Sequence, residues 1–223
     1  MDSGCHSIGI VFLLVLLSTS AGSCDKHNDR LAPIPFSDNF QRNNLGDNWQ
    51  PAPGWRLENG WVFSSGTKNR PLWLRSSIPN NAVIELDAKS ESPAGDIKFE
   101  IYGDGQHHAS GYILILGGWN NSISTIARLD EHGQDRQELK QKGIVKMGRT
   151  YHMKVVRKDK VIRWYVDGKL LLDYYDSEPL RGEGHDRFAF NDWDSNLYFD
   201  NLSIRELKAD DRVKDPQQLP TKE

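Results

Sequence analysis

Short segments that alternate apolar and polar residues, each closed by a turn signal, recur along this chain and leave almost no helical period. Trp55 to Glu58 and Trp61 to Phe63 flank Asn59-Gly60, while Val161 to Val166 and Lys169 to Leu172 flank Asp167-Gly168. Asn-Gly and Asp-Gly accept the positive φ that a two-residue turn demands, so each predicts a β-hairpin. Further strand-like runs span Val83 to Ala88, Ile97 to Tyr102, Tyr112 to Leu116, Ser124 to Leu129, Tyr151 to Val156, Arg187 to Asn191 and Leu197 to Leu207. Roughly ten to twelve strands follow, which predicts an all-β sandwich of two antiparallel sheets. The one helical candidate, Asp135 to Gln141, is short and charged and reads as a loop or a single turn.

The N-terminus carries a different signal. Ile8 to Leu17 is an apolar run of ten residues, half the roughly 20 needed to span a bilayer. Small residues and Cys24 follow it, the pattern of an export signal ending at a processing site. Ala21-Gly22-Ser23-Cys24 resembles the lipobox of bacterial lipoproteins, which implies lipidation at Cys24 and a membrane-anchored, cell-envelope protein. An ordinary signal peptidase reads the same small residues and cuts at the same bond, which would leave a secreted protein. The expected layout is a signal peptide over 1–23, a tether over 24–34, a β-sandwich over 35–207 and a disordered tail over 208–223. The tail is charged, holds two prolines and shows no period.

Removing the signal takes Cys5 with it, so Cys24 has no internal disulfide partner and the domain must be held by its own core. Asp2 leaves too, and 30 acidic residues then stand against 28 basic ones. No basic stripe of the kind nucleic acid requires is present, so nucleic acid is excluded as a partner. The seven Trp and seven Tyr suit both a core and a sugar-stacking surface.

Four stretches occur in order: Phe36-Ser37-Asp38-Asn39-Phe40, the Trp55 to Val62 hairpin, Trp164-Tyr165-Val166-Asp167-Gly168-Lys169, and Leu197 to Ile204. Together they resemble the concanavalin A-like jelly-roll superfamily, especially bacterial laminin-G-like domains and the 3-keto-disaccharide hydrolase family. The resemblance implies two sheets packed face to face, first and last strands side by side, and a concave sheet on which a saccharide or polysaccharide lies. It covers about Pro35 to Leu207 and speaks to fold more than to function.

Glu85-Leu86-Asp87-Ala88-Lys89 resembles the Glu-x-Asp-x-Glu strand of family-16 glycoside hydrolases except at Lys89. An ammonium cannot replace the second carboxylate that glycoside hydrolysis normally needs, which points away from catalysis by this strand. The loop Gly117-Gly118-Trp119-Asn120-Asn121-Ser122 presents an indole beside amides, and Arg128 and Asp130 are read as alternating on one strand face. In Gly184 to Trp193, Arg187 and Asn191 leave the core face while Phe188 and Phe190 enter it. The candidate ligand-binding set is therefore Glu85, Trp119, Asn120, Arg128, Asp130, Arg187, Asn191 and Trp193. Glu100, Asp130, His185 and Asp186 are the candidate acids and bases.

Asp38 and Asp200 become neighbours if the terminal strands pair, and the resemblance implies a structural Ca²⁺ there; no other cofactor is expected. His107, His108 and His132 lack zinc spacing. The expected function is that of a monomeric, non-catalytic carbohydrate-binding sandwich of the cell envelope, touching the membrane through its lipid anchor only. The alternatives are a glycoside-active enzyme of the 3-keto-glycoside hydrolase or lyase type and a structural interaction domain.

Overall fold

A computed structural model describes residue 1, residues 32–209 and Asp211. The expected signal peptide beyond Met1, Cys5, Cys24, most of the tether and nearly all of the tail lie outside the described residues. In chain order the strands are β1 (Phe36–Asp38), β2 (Arg56–Glu58), β3 (Trp61–Ser65), β4 (Leu72–Trp73), β5 (Ala82–Ser90), β6 (Ile97–Gly103) and β7 (Tyr112–Gly117). The second half adds β8 (Ile123–Arg128), β9 (Gln137–Lys140), β10 (Tyr151–Lys158), β11 (Val161–Val166), β12 (Lys169–Tyr175), β13 (Arg187–Asn191) and β14 (Asn196–Glu206). Eight of them form one sheet, ordered β12-β11-β10-β5-β14-β3-β2 with β1 also on β14; the other six run β4-β13-β6-β7-β8-β9. Every pairing is antiparallel.

Both predicted hairpins form. Glu58 pairs with Trp61 around Asn59 (φ 53°) and Gly60 (φ 78°), and Val166 pairs with Lys169 around Asp167 (φ 49°) and Gly168 (φ 75°). Two successive positive φ values match the twist of the flanking strands, which explains why these dipeptides were legible. The first and last strands also lie side by side, with Phe36 opposite Ile204 and Asp38 opposite Leu202. β14 is the longest strand because β5 runs along one of its edges while β3 and β1 share the other. One expectation is corrected: within Asp135 to Gln141, residues Gln137–Lys140 form β9, with Leu139 opposite Ser124 and Glu138 opposite Thr125. Its charges sit on the sheet's outer edge, where they discourage further strand pairing.

Between the sheets lies an aromatic core. Phe190 of β13 stacks on Phe199 of β14 at 4.5 Å and on Trp49 at 5.2 Å, while Phe99 of β6 meets Trp164 of β11 edge-on at 5.8 Å. All five rings are almost wholly excluded from solvent, each burial contributing on the order of 2–3 kcal/mol. At the end of β6, Tyr102 turns to φ 58°, and a Cβ on Gly111 would meet the Ile101 carbonyl oxygen at 2.5 Å and Gly103 N at 2.6 Å. Only a glycine lets these backbones approach so closely.

Phe199→Ala is expected to lose about 3–5 kcal/mol through the cavity it leaves. Gly168→Ala, whose Cβ meets nothing within 4 Å, should lose only about 1 kcal/mol from its positive φ. Urea denaturation of both variants checks the ranking; a Gly168→Ala loss equal to that of Phe199→Ala would contradict it.

Candidate functional site

Because Phe188 and Phe190 enter the core, period two sends Ala189 and Asn191 to the outward face of the six-stranded sheet. Register then assembles that face: Asn191 lies opposite Lys98, Ala189 opposite Glu100, Lys98 opposite Ile115, and Ile115 opposite Thr125. These residues are not solvated, since Lys98 is 1% exposed and Glu100 0%. Loops rise around them and enclose an open cavity of about 720 Å³. Its walls include Asn69, Asp96, Lys98, His108, Glu131 and His132 as well as the indoles of Trp119 and Trp193.

A ring of polar contacts runs beneath and around the cavity. Lys98 Nζ donates to Asn69 Oδ1 (3.0 Å) and Glu131 Oε2 (2.8 Å), so this buried ammonium has a charged partner. Glu100 accepts from Asn191 Nδ2 (2.6 Å), Ala109 N–H (3.0 Å) and His108 Nδ1 (2.6 Å). Asn191 Oδ1 accepts from Asp192 N–H (2.7 Å), and the Asp192 carbonyl accepts from Asn69 N–H (2.8 Å). The circuit is open at one place, where His108 Nε2 stands 3.8 Å from Glu131 Oε2, beyond hydrogen-bond length.

Two loops carry the indoles. Trp119, Asn120 and Asn121 all have positive φ (48°, 57° and 57°), a run that costs about 1–2 kcal/mol per residue. Asn121 holds the turn by mimicking a backbone pair with Val145, donating to its carbonyl (2.7 Å) and accepting from its N–H (3.0 Å). Arg136 lies 4.8 Å from the Trp119 ring centre, and His132 meets that ring edge-on at 5.6 Å. On the other loop, the fully buried Asp192 carboxylate accepts from Gly66 N–H (2.7 Å), Thr67 N–H (3.3 Å) and Ser195 N–H (2.9 Å). It thereby ties the 66–69 loop to Trp193, whose ring faces Lys68 Nζ at 4.9 Å and is half exposed.

Of the sequence candidates, Trp119, Asn120, Asp130 and Trp193 line this cavity together, with Glu100 and Asn191 directly behind it. Arg128 does not join them. It lies opposite Tyr112 on the core side of the sheet and gives Nε to Asp176 Oδ2 at 3.0 Å. Leu129 takes φ 61° and breaks the alternation, so Arg128 and Asp130 never share a face. Arg187 donates to Ser77 Oγ at 2.6 Å and sits near Asp186 at 3.6 Å, apart from the cavity walls. His185, on the loop before β13, is likewise outside the walls and keeps a buried Nδ1 without a partner among the described residues. Glu85 is on the outward face of the other sheet beside Lys154 (3.3 Å). Asp87 on that face contacts His152 (2.8 Å) and Asn201 (2.9 Å). Lys89 belongs to that remote strand, so the departure from the glycosidase pattern there carries no information about the cavity.

The terminal strands do bring Asp38 and Asp200 together, and the charges of Asp38 and Asp87 help burial to raise the Asp200 carboxyl. The oxygens of Asp38 are already occupied: Arg42 Nη1 (2.5 Å) and Nη2 (2.7 Å), Trp49 Nε1 (3.0 Å) and Phe40 N–H (3.0 Å) all donate to them. Burial pushes the Asp38 carboxyl up, and these donors outweigh it and leave it below its usual value. A calcium ion would have to displace the guanidinium, so the pair does not fit one. No group of three or more His, Cys, Asp or Glu among the described residues is arranged to hold a metal.

Asp96, Lys98, His108, Glu131 and His132 were not singled out as ligands from sequence. The Asp96 side chain makes no hydrogen bond among the described residues, and burial raises its carboxyl to about 6 against the pull of Lys98, with Glu131 and Asp192 adding to the rise.

The sequence matches no family model and no curated protein. Solved structures are similar in fold. The carbohydrate binding module CBM66 from Bacillus subtilis aligns with a TM-score of 0.58 at 16% identity, over 71% of this chain and 96% of that one. A Bacillus licheniformis β-glucanase aligns at 0.56 and 14%, over 78% and 98% of the two chains. The Emp47p carbohydrate recognition domain gives 0.57 and 14%, over 78% and 96%. The fold is the concanavalin A-like jelly roll.

Asp96→Asn provides a check on the cavity's electrostatics. A carboxyl raised from 3.8 to about 6 destabilises the fold increasingly as pH rises through that window, and the full cost stands above it. The variant should gain about 1–3 kcal/mol at pH 8 and nothing at pH 3.5 by urea denaturation; an equal effect at both pH values would contradict the assignment.

Proposed function

We propose that this jelly roll binds carbohydrate in the cavity on its six-stranded sheet. The observation that carries the reading is the pairing of two solvent-reaching indoles, Trp119 and Trp193, with a floor of fixed donors and acceptors in one open cavity. Sugars offer an apolar C–H face and a rim of hydroxyls, and this arrangement addresses both. The strained Trp119 turn and the Asp192 clamp hold the two indoles before any ligand arrives, which lowers the entropy lost on binding. Similar folds in a carbohydrate binding module and a carbohydrate recognition domain support the same reading by analogy. The Ala21-Gly22-Ser23-Cys24 sequence supports placing the domain in a cell envelope, anchored by lipid at Cys24.

Glycan arrays and affinity electrophoresis should retain the wild-type chain. Trp119→Ala and Trp193→Ala should each weaken retention about tenfold, equivalent to roughly 1.4 kcal/mol. Failure of the wild type to bind any glycan would overturn the reading. For the anchor, mass spectrometry of the mature N-terminus should find an acylated Cys24; an unmodified cysteine would make the protein a secreted one.

A further inference from the structure

The fully buried Glu100 carboxylate has no opening to the ligand, yet it holds the ring of a residue that does. Glu100 accepts from three donors, His108 Nδ1 among them at 2.6 Å; the same ring nitrogen lies 2.9 Å from Asn191 Nδ2, and with its hydrogen turned to the Glu100 carboxylate the neutral ring carries its lone pair on Nε2. That Nε2 lies at the single break in the polar circuit, 3.8 Å from Glu131 Oε2. One water oxygen standing toward the cavity can lie about 2.8 Å from both atoms, giving one hydrogen to each acceptor.

From this geometry we propose that the cavity hydrolyses a glycosidic bond of the saccharide it holds, with His108 as general base and Asp96 as general acid. The proposal rests on the carbohydrate-binding reading of the same cavity. In the reaction, His108 Nε2 takes a proton from the water as its oxygen bonds to the anomeric carbon. The bond from that carbon to the leaving sugar breaks, and its electron pair stays on the leaving oxygen. The leaving oxygen takes the proton of the Asp96 carboxyl. A proton passing from His108 to Asp96 through solvent restores both groups.

Three further observations favour glycosidic cleavage. Asp96 lines the same cavity with no hydrogen-bond partner among the described residues, so its carboxyl is available to a ligand oxygen, and burial keeps part of it protonated near pH 6. The walls also carry Asp130, Glu131 and Asp194; Lys98 and Lys68 pair with the last two, so among these three it is Asp130 whose charge favours the positive charge that develops on a sugar ring as its leaving group departs. Glu131 is held at its place by Lys98 Nζ at 2.8 Å, so it can orient the water without reorganising. Glu100 acts through His108 and is a positioning residue.

The test uses the purified chain with laminari-oligosaccharides, mixed-linkage β-glucan oligosaccharides and 4-nitrophenyl glycosides. Cleavage is followed by mass spectrometry in ¹⁸O-water, and binding by calorimetry. The wild type should place one ¹⁸O at the new reducing end. His108→Ala, His108→Gln and Asp96→Asn should each lower kcat about a hundredfold or more, with Kd changed less than about threefold. Glu100→Gln should lower kcat about tenfold at unchanged Kd, a split that a purely structural contact would not produce. Binding without cleavage by the wild type would overturn the proposal and leave the carbohydrate-binding reading standing, as would full turnover by both folded His108 variants. If no glycan is either bound or cleaved, both readings fail.

Discussion

The stack of Phe190 on Phe199, with ring centres 4.5 Å apart across the two sheets, decides which residues of the six-stranded sheet face outward. A strand has only two faces, and two large rings cannot leave the core without exposing several hundred Å² of apolar surface. With Phe188 and Phe190 committed inward, Asn191 must face out. The register of β13 on β6 then carries Lys98 and Glu100 with it. The cavity is thus a consequence of core packing, expressed on the opposite side of the same strands.

What keeps that outward face from being an ordinary solvated one is the set of loops above it. Buried ions destabilise a fold unless each is paired and hydrogen-bonded. Here Lys98 has Glu131 and Asn69, and Glu100 has three donors. The loops that supply these partners brace the ones that present the indoles, His132 beside Glu131 meeting the Trp119 ring and Asp192 beside Trp193 binding the 66–69 loop, so ordering the floor also orders the walls. Asp192 occupies the joint, its carboxylate on the 66–69 loop and its backbone on Asn69 and Asn191.

Much of the architecture was legible because its signals are local. Asn59-Gly60 and Asp167-Gly168 specify turns through their own backbone preferences, and odd-numbered apolar residues from Ile97 to Ile101 specify a buried face. Segments with weak local signals are hard to read: β9 is three polar residues and Leu139, and it becomes a strand because β8 offers an edge. The indoles Trp119 and Trp193 were found from sequence because a tryptophan in a Gly/Asn-rich or Asp-rich loop is conspicuous on its own. Arg128 was misplaced because one residue, Leu129 at φ 61°, reversed the alternation after it, and no property of leucine announces that.

The order of residues settles period and turn chemistry, and with them an antiparallel sandwich with Phe188 and Phe190 inside and Lys98 and Glu100 outside. It does not settle what outside means. Lys98 and Glu100 look like solvent-facing charges in any window of sequence, and they become the floor of a cavity because Asn69, His108 and Glu131 arrive from positions up to 33 residues away. Desolvation, the cause of both the pairing of Lys98 and the raised carboxyl of Asp96, depends on everything that surrounds a group. That surrounding exists only once distant loops have closed over the sheet.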